Sequence, residues 1–341
     1  MALLTTYFQP IVVYMVRVGS QNRPGADLKT KVLLKGVGGS KDDIEAEIGD
    51  VTDFAGPMIQ MAGPTLAAAE GLIYSNTNIG LEGDQHEQEH LLPAPFADKA
   101  TKYMVGPILP PWYEHALESG VRPPPRESAL GDECIEFMSG HAAKSVVYVA
   151  MGSHIELTIE QAALLIETLR RTKTPWVLLF RNDTEEMKKK LGADFTDGVV
   201  TAWAPQQDIL LHPALKCVIS HGGFGTMIEG IYAEQAFITT PVASDQYIDS
   251  RVMRHLGICV GTISENHYES IMGRTKLIPH WPNDGGKTIQ ELFQRLFGTV
   301  DGEVELERAR AASRAVRQRM VDSKALAASK ALDELRTAMT S

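Results

Sequence analysis

The sequence contains little cysteine and no excess of positive charge, and each shortage argues against a class of protein. Its three cysteines, Cys134, Cys217 and Cys259, have no Cys-x-x-Cys spacing, and two of them lie inside apolar runs. We therefore expect buried thiols in a reducing compartment rather than disulfides. Lysine and arginine number 33 against 43 for aspartate and glutamate, which gives a formal net charge of −10. This balance argues against a general nucleic-acid binder, because such a protein needs a basic surface.

Long apolar runs are also missing. The fairly apolar residues 1–20 are interrupted by Gln9, Pro10 and Arg17, and the C-terminal residues are polar. We expect neither a signal peptide nor a membrane span, and we expect a cytoplasmic protein. We also expect no metal site, because the sequence shows no cluster of metal ligands.

The composition that remains is typical of a soluble globular protein. With 341 residues, of which 44% are hydrophobic and 22% charged, the chain is long enough for two domains. From residue 145 onward, short apolar runs alternate with amphipathic segments, which indicates repeated βαβ units and a parallel sheet. Thr158 and Gln161 have the spacing of a capping box at the start of a helix. The predicted strands are residues 145–151, 176–180, 199–203, 217–220, 237–240 and 257–263.

A proline-rich segment divides the chain. Six prolines lie between residues 107 and 125, and we expect them to break regular structure and to stiffen a linker. We predict a partial N-terminal domain at 1–106, a linker at 107–130, a C-terminal domain at 131–302 and C-terminal helices at 303–341. Further predictions are strands at 71–76 and 103–105, a turn at 36–40, a broken helix at 53–70, and one long helix or two in series at 303–339.

The strand at 217–220 is followed by a glycine-rich turn and then by a helical pattern. Ligands of parallel α/β sheets bind at the carboxyl ends of the strands. A helix N-terminus carries unpaired N–H groups and a partial positive charge, and Gly222, Gly223 and Gly225 let an anion approach without a Cβ in the way. A diphosphate suits such a turn.

The polar residues of this helix fall on one face. Gly222, Thr226 and Glu229 are spaced i, i+4 and i+7, so Thr226 can donate to a phosphate oxygen while Glu229 accepts from the two vicinal hydroxyls of a ribose. Trp203, at the end of the strand predicted at 199–203, offers an indole face on which a base can stack.

The window from Trp203 to Gln246 resembles the signature box of the UDP-glycosyltransferases, best known from plant secondary-product enzymes. Its 44 residues match the length of that box without a gap. Similar stretches flank it: GLIYSNTNIGLE at 71–82, YMVGPILP at 103–110, KSVVYVAMGS at 144–153 and TPWVLLFRN at 174–182. The resemblance implies an α/β protein of the GT-B fold, with one complete Rossmann-like C-terminal domain that binds a UDP-sugar donor and a partial Rossmann-like N-terminal domain on the acceptor side.

The resemblance also implies a role for each site residue. Trp203 stacks on uracil, Ala204 and Gln206 meet the base edge, and Glu229 holds the ribose. The diphosphate is held by His221, Thr226 and the amides around Gly223, with Ser153 beside them, and the sugar is held by Asp245 and Gln246. Structural roles are open for some of them: Ser153 as a turn or N-cap residue, Asp245 as an N-cap and His221 as a packing residue. Family members need no metal and no cofactor beyond the UDP-sugar substrate, and a terminal Gln is usually associated with glucose.

Two departures qualify the resemblance. Gly222 to Thr226 replaces a Cys-Gly-Trp-Asn-Ser pattern, so the Asn amide that helps to bind phosphate is absent. The family's catalytic histidine lies near the end of the first strand, whereas the first histidines here are His86 and His90, in a charged stretch that we interpret as a loop. The catalytic residue is therefore unknown, and we expect a chain that begins inside the acceptor domain.

Three hypotheses follow. The first is a UDP-glycosyltransferase that transfers a hexose, by the resemblance glucose, to a hydroxyl of a small hydrophobic or phenolic acceptor with inversion. The second is a catalytically incomplete UDP-sugar-binding fragment, a pseudoenzyme or one half of a split transferase. The third is a different nucleotide-binding α/β protein such as a dehydrogenase, and it is remote because no Gly-x-Gly-x-x-Gly follows an early strand. In the family the C-terminal helix braces the front domain, so with an incomplete front domain we expect an exposed apolar face and self-association.

Overall fold

The computed structural model describes five strands within residues 1–104, and then residues 109–119, 132–153, 155–192, 195–242, 246–264 and 277–340. The elements are numbered in chain order over these residues. The predicted turn at 36–40, the predicted helix at 53–70, His86 and His90 lie outside the described residues.

A six-stranded parallel sheet forms the centre of the C-terminal half, as the alternation of apolar runs predicts. Its strands lie in the order β11-β10-β9-β6-β7-β8. The chain therefore starts in the middle of the sheet, adds two strands to one side, and then crosses back to add three to the other. This is the order of a Rossmann fold, and its switch point lies between β6 and β9. The strands are β6 (Val146–Ala150), β7 (Trp176–Leu179), β8 (Gly198–Thr201), β9 (Leu215–Ser220), β10 (Phe237–Thr239) and β11 (Cys259–Thr262).

Helices cover both faces of this sheet. Alternate residues of β6 enter different cores: Tyr148 lies in one hydrophobic cluster, while Val147 and Val149 lie in the other. Burial on both faces explains why these strands are continuous apolar runs rather than alternating ones. The helices are α1 (Pro111–Ser119), α2 (Asp132–Ser139), α3 (Ile159–Arg171), α4 (Thr184–Leu191), α5 (Gln206–Leu210), α6 (Phe224–Tyr232), α7 (Gln246–His255), α8 (Lys287–Phe297) and α9 (Val300–Thr340).

The capping box predicted at the start of α3 is confirmed. The Thr158 hydroxyl accepts from the Gln161 backbone N–H at 3.1 Å, and the Gln161 side chain accepts from the Thr158 backbone N–H at 3.1 Å. Both bonds satisfy backbone donors that a helix start leaves unpaired.

The N-terminal part contains two small sheets. Strands β1 (Leu3–Thr6), β4 (Gly71–Tyr74) and β5 (Thr101–Met104) form a parallel sheet in the order β1-β4-β5. The predicted strands at 71–76 and 103–105 correspond to β4 and β5. Strands β2 (Lys31–Leu34) and β3 (Ile44–Glu47) form an antiparallel pair.

The proline-rich segment contains regular structure that the sequence reading did not expect. Helix α1 occupies Pro111–Ser119, within the segment predicted as a linker. Pro111 is its first residue, where the missing N–H costs no intrahelical hydrogen bond and the fixed φ suits a helix. The backbone carbonyl of Pro110 accepts from the Tyr113 N–H at 2.9 Å. Proline here starts a helix instead of breaking one.

The C-terminal tail is one long helix, the first of the two alternatives that the sequence left open. Its first half, to residue 322, packs on the C-terminal half of the chain through Leu306, Val316 and Met320, and the helix also contacts β5. Lys144 pairs with Glu307 at 2.7 Å. The expected self-association stays a prediction.

A polar cluster connects α3 to the residues before β8, the strand at one edge of the sheet. Arg170 donates through Nε to Asp197 Oδ2 at 2.7 Å and through Nη2 to Oδ1 at 3.1 Å. Its guanidinium carbon lies 5.9 Å from the ring centres of both Trp176 and Phe195. Partial burial raises the pKa of Asp197, but the hydrogen bonds and charge of Arg170 outweigh it and hold that pKa below its usual range.

This cluster predicts a pH-dependent contribution to stability. Because the pKa of Asp197 is lower in the folded chain, its contribution is present above the unfolded-state pKa of about 3.9 and is lost as the pH falls through the folded value. We expect Asp197→Asn to reduce the free energy of unfolding by about 1 kcal/mol at pH 7, since the partly exposed carboxylate is screened by solvent. The difference from the unmodified chain should shrink below about pH 4 in urea unfolding. Glu185→Gln, which removes an exposed pair with Lys188, is the control and should have little effect at either pH. An equal loss at both pH values would contradict the assignment.

Candidate donor site

The predicted site residues lie at the carboxyl edge of the six-stranded sheet. The register pairs Ala150, the last residue of β6, with Ser220, the last residue of β9, and pairs Ser220 with Thr239 at the end of β10. The turns that follow these strands therefore lie side by side at the switch point. Ser153 and His221 are carried by the first two of these turns.

The imidazole of His221 is packed between two glycines. A Cβ on Gly152 would lie 2.6 Å from the ring carbon Cε1, and a Cβ on Gly223 would lie 2.2 Å from Nε2. Both distances are shorter than real Cβ contacts, so a side chain at either position would have to displace the ring, and Gly152 also has a positive φ of 73°. The Ser220 hydroxyl lies 3.3 Å from His221 Nδ1 and accepts from the Gly222 N–H at 3.3 Å. His221 is half-buried, so it packs under the turn and still reaches solvent.

Helix α6 starts without a side-chain cap. Gly223 is the N-cap residue, and no side chain caps it. The first N–H groups of the helix remain directed toward the carboxyl edge, as an anion site requires. Thr226, in the first turn of the helix, is buried and accepts weakly from Gln206 Nε2 at 3.5 Å. A hydroxyl that accepts a hydrogen bond keeps its own hydrogen for donation.

The carboxylate of Glu229 is held by two amides. Gln206 Nε2 donates to Oε2 at 2.7 Å, and Gln207 Nε2 donates to Oε1 at 2.8 Å. Each carboxylate oxygen has about two lone pairs, so both oxygens can accept again from a pair of vicinal hydroxyls. The Gln206 amide nitrogen is directed at Glu229 and Thr226, which leaves its amide oxygen for the predicted contact with a base edge.

Trp203 follows β8 at a distance of two residues rather than ending it. The strand ends at Thr201, whose hydroxyl donates to the Trp203 carbonyl at 2.8 Å. Trp203 is 44% exposed, and it is the only aromatic residue among the large exposed hydrophobic side chains of the described residues. Ala204 is buried, and its carbonyl accepts from the Gln206 N–H at 2.9 Å. The indole is therefore presented to solvent by a turn that also fixes Gln206.

The remaining predicted residues have different surroundings. Gln246 is the first residue of α7, and its Oε1 accepts from the Val242 N–H at 3.0 Å. Its backbone carbonyl would lie 3.6 Å from a Cβ on Gly222, so Gln246 adjoins the glycine turn. Ser153 is exposed in the turn after β6, which suits either of its two predicted roles. Asp245 lies outside the described residues.

Three residues at this edge were missed by the sequence reading. Gln207 holds Glu229, and its place beside Gln206 was the available signal. Arg181, after β7, donates to the carbonyl of Gly152. Tyr113 donates to the backbone carbonyl of Glu229 at 2.8 Å, and nothing in the sequence links two residues so far apart.

The described ranges were predicted to contain neither a metal site nor a membrane span. No group of three or more His, Cys, Asp and Glu residues there is arranged to hold a metal ion. No helix in the same ranges has the length and apolar character needed to cross a membrane.

Solved structures with the same fold cover almost the whole chain. A Phytolacca americana UGT2 complexed with UDP-2fluoro-glucose and pterostilbene has a TM-score of 0.67 and 16% identity, covering 99% of this chain and 71% of that one. A UGT transferase from Siraitia grosvenorii in complex with UDP has a TM-score of 0.65 and 19% identity, covering 96% of this chain and 74% of that one. At this identity the likeness shows the fold alone.

Curated relatives match shorter stretches. UDP-glycosyltransferase 79A2 of Stevia rebaudiana is 27% identical over 223 residues, which are 58% of this chain and 46% of the relative. Flavonoid 3-O-glucosyltransferase of Medicago truncatula is 30% identical over 129 residues, which are 37% of this chain and 28% of the relative. The chain thus spans less than half the length of these curated relatives.

The sheet order, the switch-point turns and the solved structures define an α/β protein of the GT-B type. Residues 118–270 match the family model described as UDP-glucoronosyl and UDP-glucosyl transferase. Over these residues the chain is similar to the UDP-glycosyltransferase superfamily, and the solved structures of that superfamily share its fold. The fold implied by the resemblance is confirmed, and the family model supports the implied family over residues 118–270. The roles of the individual site residues stay predictions.

The close packing around His221 predicts opposite effects for two neighbouring glycines. We expect Gly223→Ala to destabilise the fold by about 1–3 kcal/mol, because its Cβ must displace the His221 ring. Gly225→Ala is the control, since a Cβ there meets nothing within 4 Å and alanine favours a helix over glycine by roughly 0.5–1 kcal/mol. Thermal melting followed by circular dichroism measures both. Equal melting temperatures for the two variants would show that the ring is not confined by Gly223.

Proposed function

We propose that this chain binds a UDP-sugar at the carboxyl edge of its six-stranded sheet. We further propose that it transfers the hexose, which the resemblance suggests is glucose, to a hydroxyl of a small hydrophobic or phenolic acceptor. The transfer proceeds with inversion and needs no metal ion. Relatives whose names record glucosyl transfer to anthocyanidins and flavonoids support this class of donor and acceptor.

One observation carries the donor half of the proposal. Glu229 is oriented by Gln206 and Gln207, the first two residues of α5. The exposed indole of Trp203 lies just before α5 in the chain. The uncapped start of α6 lies one to two turns before Glu229. Trp203 thus offers a surface for the base, Glu229 can accept hydrogen bonds from the ribose hydroxyls, and the start of α6 can bind the diphosphate. A solvated helix carboxylate has no need of two half-buried amide partners.

The chemistry follows from this placement. The acceptor oxygen forms a bond to the anomeric carbon while the bond to the diphosphate oxygen breaks, and the acceptor proton leaves to a base. The diphosphate gains negative charge as it leaves, and in the proposed site the N–H groups at the start of α6, with Thr226, would stabilise that charge. His221 supports the turn that presents these donors.

The donor site predicts that Trp203 contributes strongly to UDP affinity. Stacking of a base on an aromatic side chain contributes about 1–3 kcal/mol, so Trp203→Ala should weaken UDP binding by about fivefold to more than 100-fold in isothermal titration calorimetry. Trp203→Phe keeps a ring and is the control, with a smaller loss expected. Because the indole is half-exposed, neither variant should change the melting temperature much. Undetectable UDP binding by the unmodified chain, or equal affinity in Trp203→Ala, refutes the proposed donor site.

The transfer step has its own test. The purified chain is incubated with UDP-glucose and a panel of phenols, and glucosides are sought by mass spectrometry. We expect β-linked products from the α-linked donor, with a coupling constant that nuclear magnetic resonance reads directly, and yields unaffected by EDTA. UDP binding without any product supports the alternative function, a UDP-sugar-binding module completed by another chain. An α-linked product contradicts the proposed inversion.

A further inference from the structure

Helix α1, inside the proline-rich segment, contacts the main chain of the candidate ribose-binding residue. Tyr113, on α1, is fully buried, and its hydroxyl donates to the backbone carbonyl of Glu229 at 2.8 Å. Burial, and then the negative charge of Glu229, raise the pKa of Tyr113 well above its usual range, so the hydroxyl remains a donor.

The carbonyl that Tyr113 contacts is already part of the helix. It accepts from the Ala233 N–H at 3.0 Å, the ordinary bond of α6. The phenol adds a second bond from the opposite element, so the helical turn that bears Glu229 is fixed through its main chain. The side chain of Glu229 is fixed separately by Gln206 and Gln207.

Helix α1 is in turn held in place by α9. Arg317 donates to the carbonyl of Leu117 in α1 at 3.2 Å and to Glu234 at 2.9 Å, and Arg314 donates to Glu234 at 2.7 Å. Glu234 follows α6 with a left-handed φ of 58°, a backbone conformation that is unfavourable for a residue with a side chain. Two arginine partners thus stabilise an unfavourable backbone and connect α1, α6 and α9 at one point.

From these contacts we propose that Tyr113 is a positioning residue for Glu229. Recognition of the ribose hydroxyls then depends on the packing of α1 against α6. The proposal rests on the proposed donor site. The phenol contacts no ligand; it fixes the turn from which the carboxylate projects. A shift of that turn changes the distance from the carboxylate to a diol much more than it changes the stacking of a base on Trp203.

The test compares UDP with 2′-deoxy-UDP. We expect the unmodified chain to prefer UDP, and Tyr113→Phe to reduce that preference by about threefold, the size of one neutral hydrogen bond. Affinity for 2′-deoxy-UDP should change little. If Tyr113 contributes only to stability, its substitution lowers the melting temperature or weakens the binding of both ligands equally. The ratio of the affinity for UDP to the affinity for 2′-deoxy-UDP is then unchanged.

Two control variants sharpen the comparison. Tyr232→Phe removes a hydroxyl from α6 itself, and this hydroxyl is buried without a hydrogen-bond partner among the described residues; its ratio should match that of the unmodified chain. Trp203→Ala should weaken both ligands and keep the ratio. Arg317→Gln removes the hydrogen bond between α9 and the Leu117 carbonyl of α1. It should lower the affinity ratio, as Tyr113→Phe does.

The outcomes separate the two proposals. Failure of the unmodified chain to bind UDP refutes the donor site and the role of Tyr113 with it. Binding of UDP with an unchanged ratio in Tyr113→Phe refutes the positioning role alone. If Tyr113→Phe does not fold, the affinity ratio of Arg317→Gln is the test: a lowered ratio supports the positioning role, and an unchanged ratio refutes it. Equal affinity of the unmodified chain for UDP and 2′-deoxy-UDP refutes the assignment of Glu229 to the ribose and this inference.

Discussion

The orientation of one carboxylate, Glu229, depends on three separate parts of the chain. Gln206 and Gln207 hold its oxygens, Tyr113 holds its main chain, and α6 carries it. A carboxylate that is free to rotate hydrates well and selects poorly between ligands, whereas one fixed by donors offers its remaining lone pairs in set directions. The site therefore acquires its geometry from hydrogen bonds made before any ligand arrives.

The sheet order explains why these parts meet. Because β6 and β9 are neighbours from which the chain leaves in opposite directions, their two following turns have no helix between them at the carboxyl edge. The close approach of Gly152 and Gly223 to the ring of His221 fills this gap with protein. The uncapped start of α6 adjoins this point, and in the proposed donor site its backbone N–H groups would take the place of the family's asparagine amide.

Periodicity and local signals were sufficient for most of the C-terminal half. The six strands and the Thr158 cap follow from apolar runs and from spacing, and Glu229 and Thr226 share a helix face because their separation fixes it. Helix α1 was missed because a prolyl residue at a first helical position looks like a break in sequence alone. The bond from Tyr113 to Glu229 was missed for another reason: it joins residues 116 positions apart, and only the packing of α1 on α6 brings them together. Asp245 and the histidines at 86 and 90 are predictions that the described residues do not reach.

The three cysteines have a practical consequence. All are buried, and burial raises the pKa of Cys134 and Cys217 to about 12 and that of Cys259 above its usual range. Thiols of this kind are almost entirely protonated near neutral pH, and the thiolate is the reactive form. A cysteine introduced at an exposed position would then be the single fast-reacting thiol of the folded chain. The natural sequence is thus already suited to attaching one fluorophore or spin label, with every native cysteine left in place.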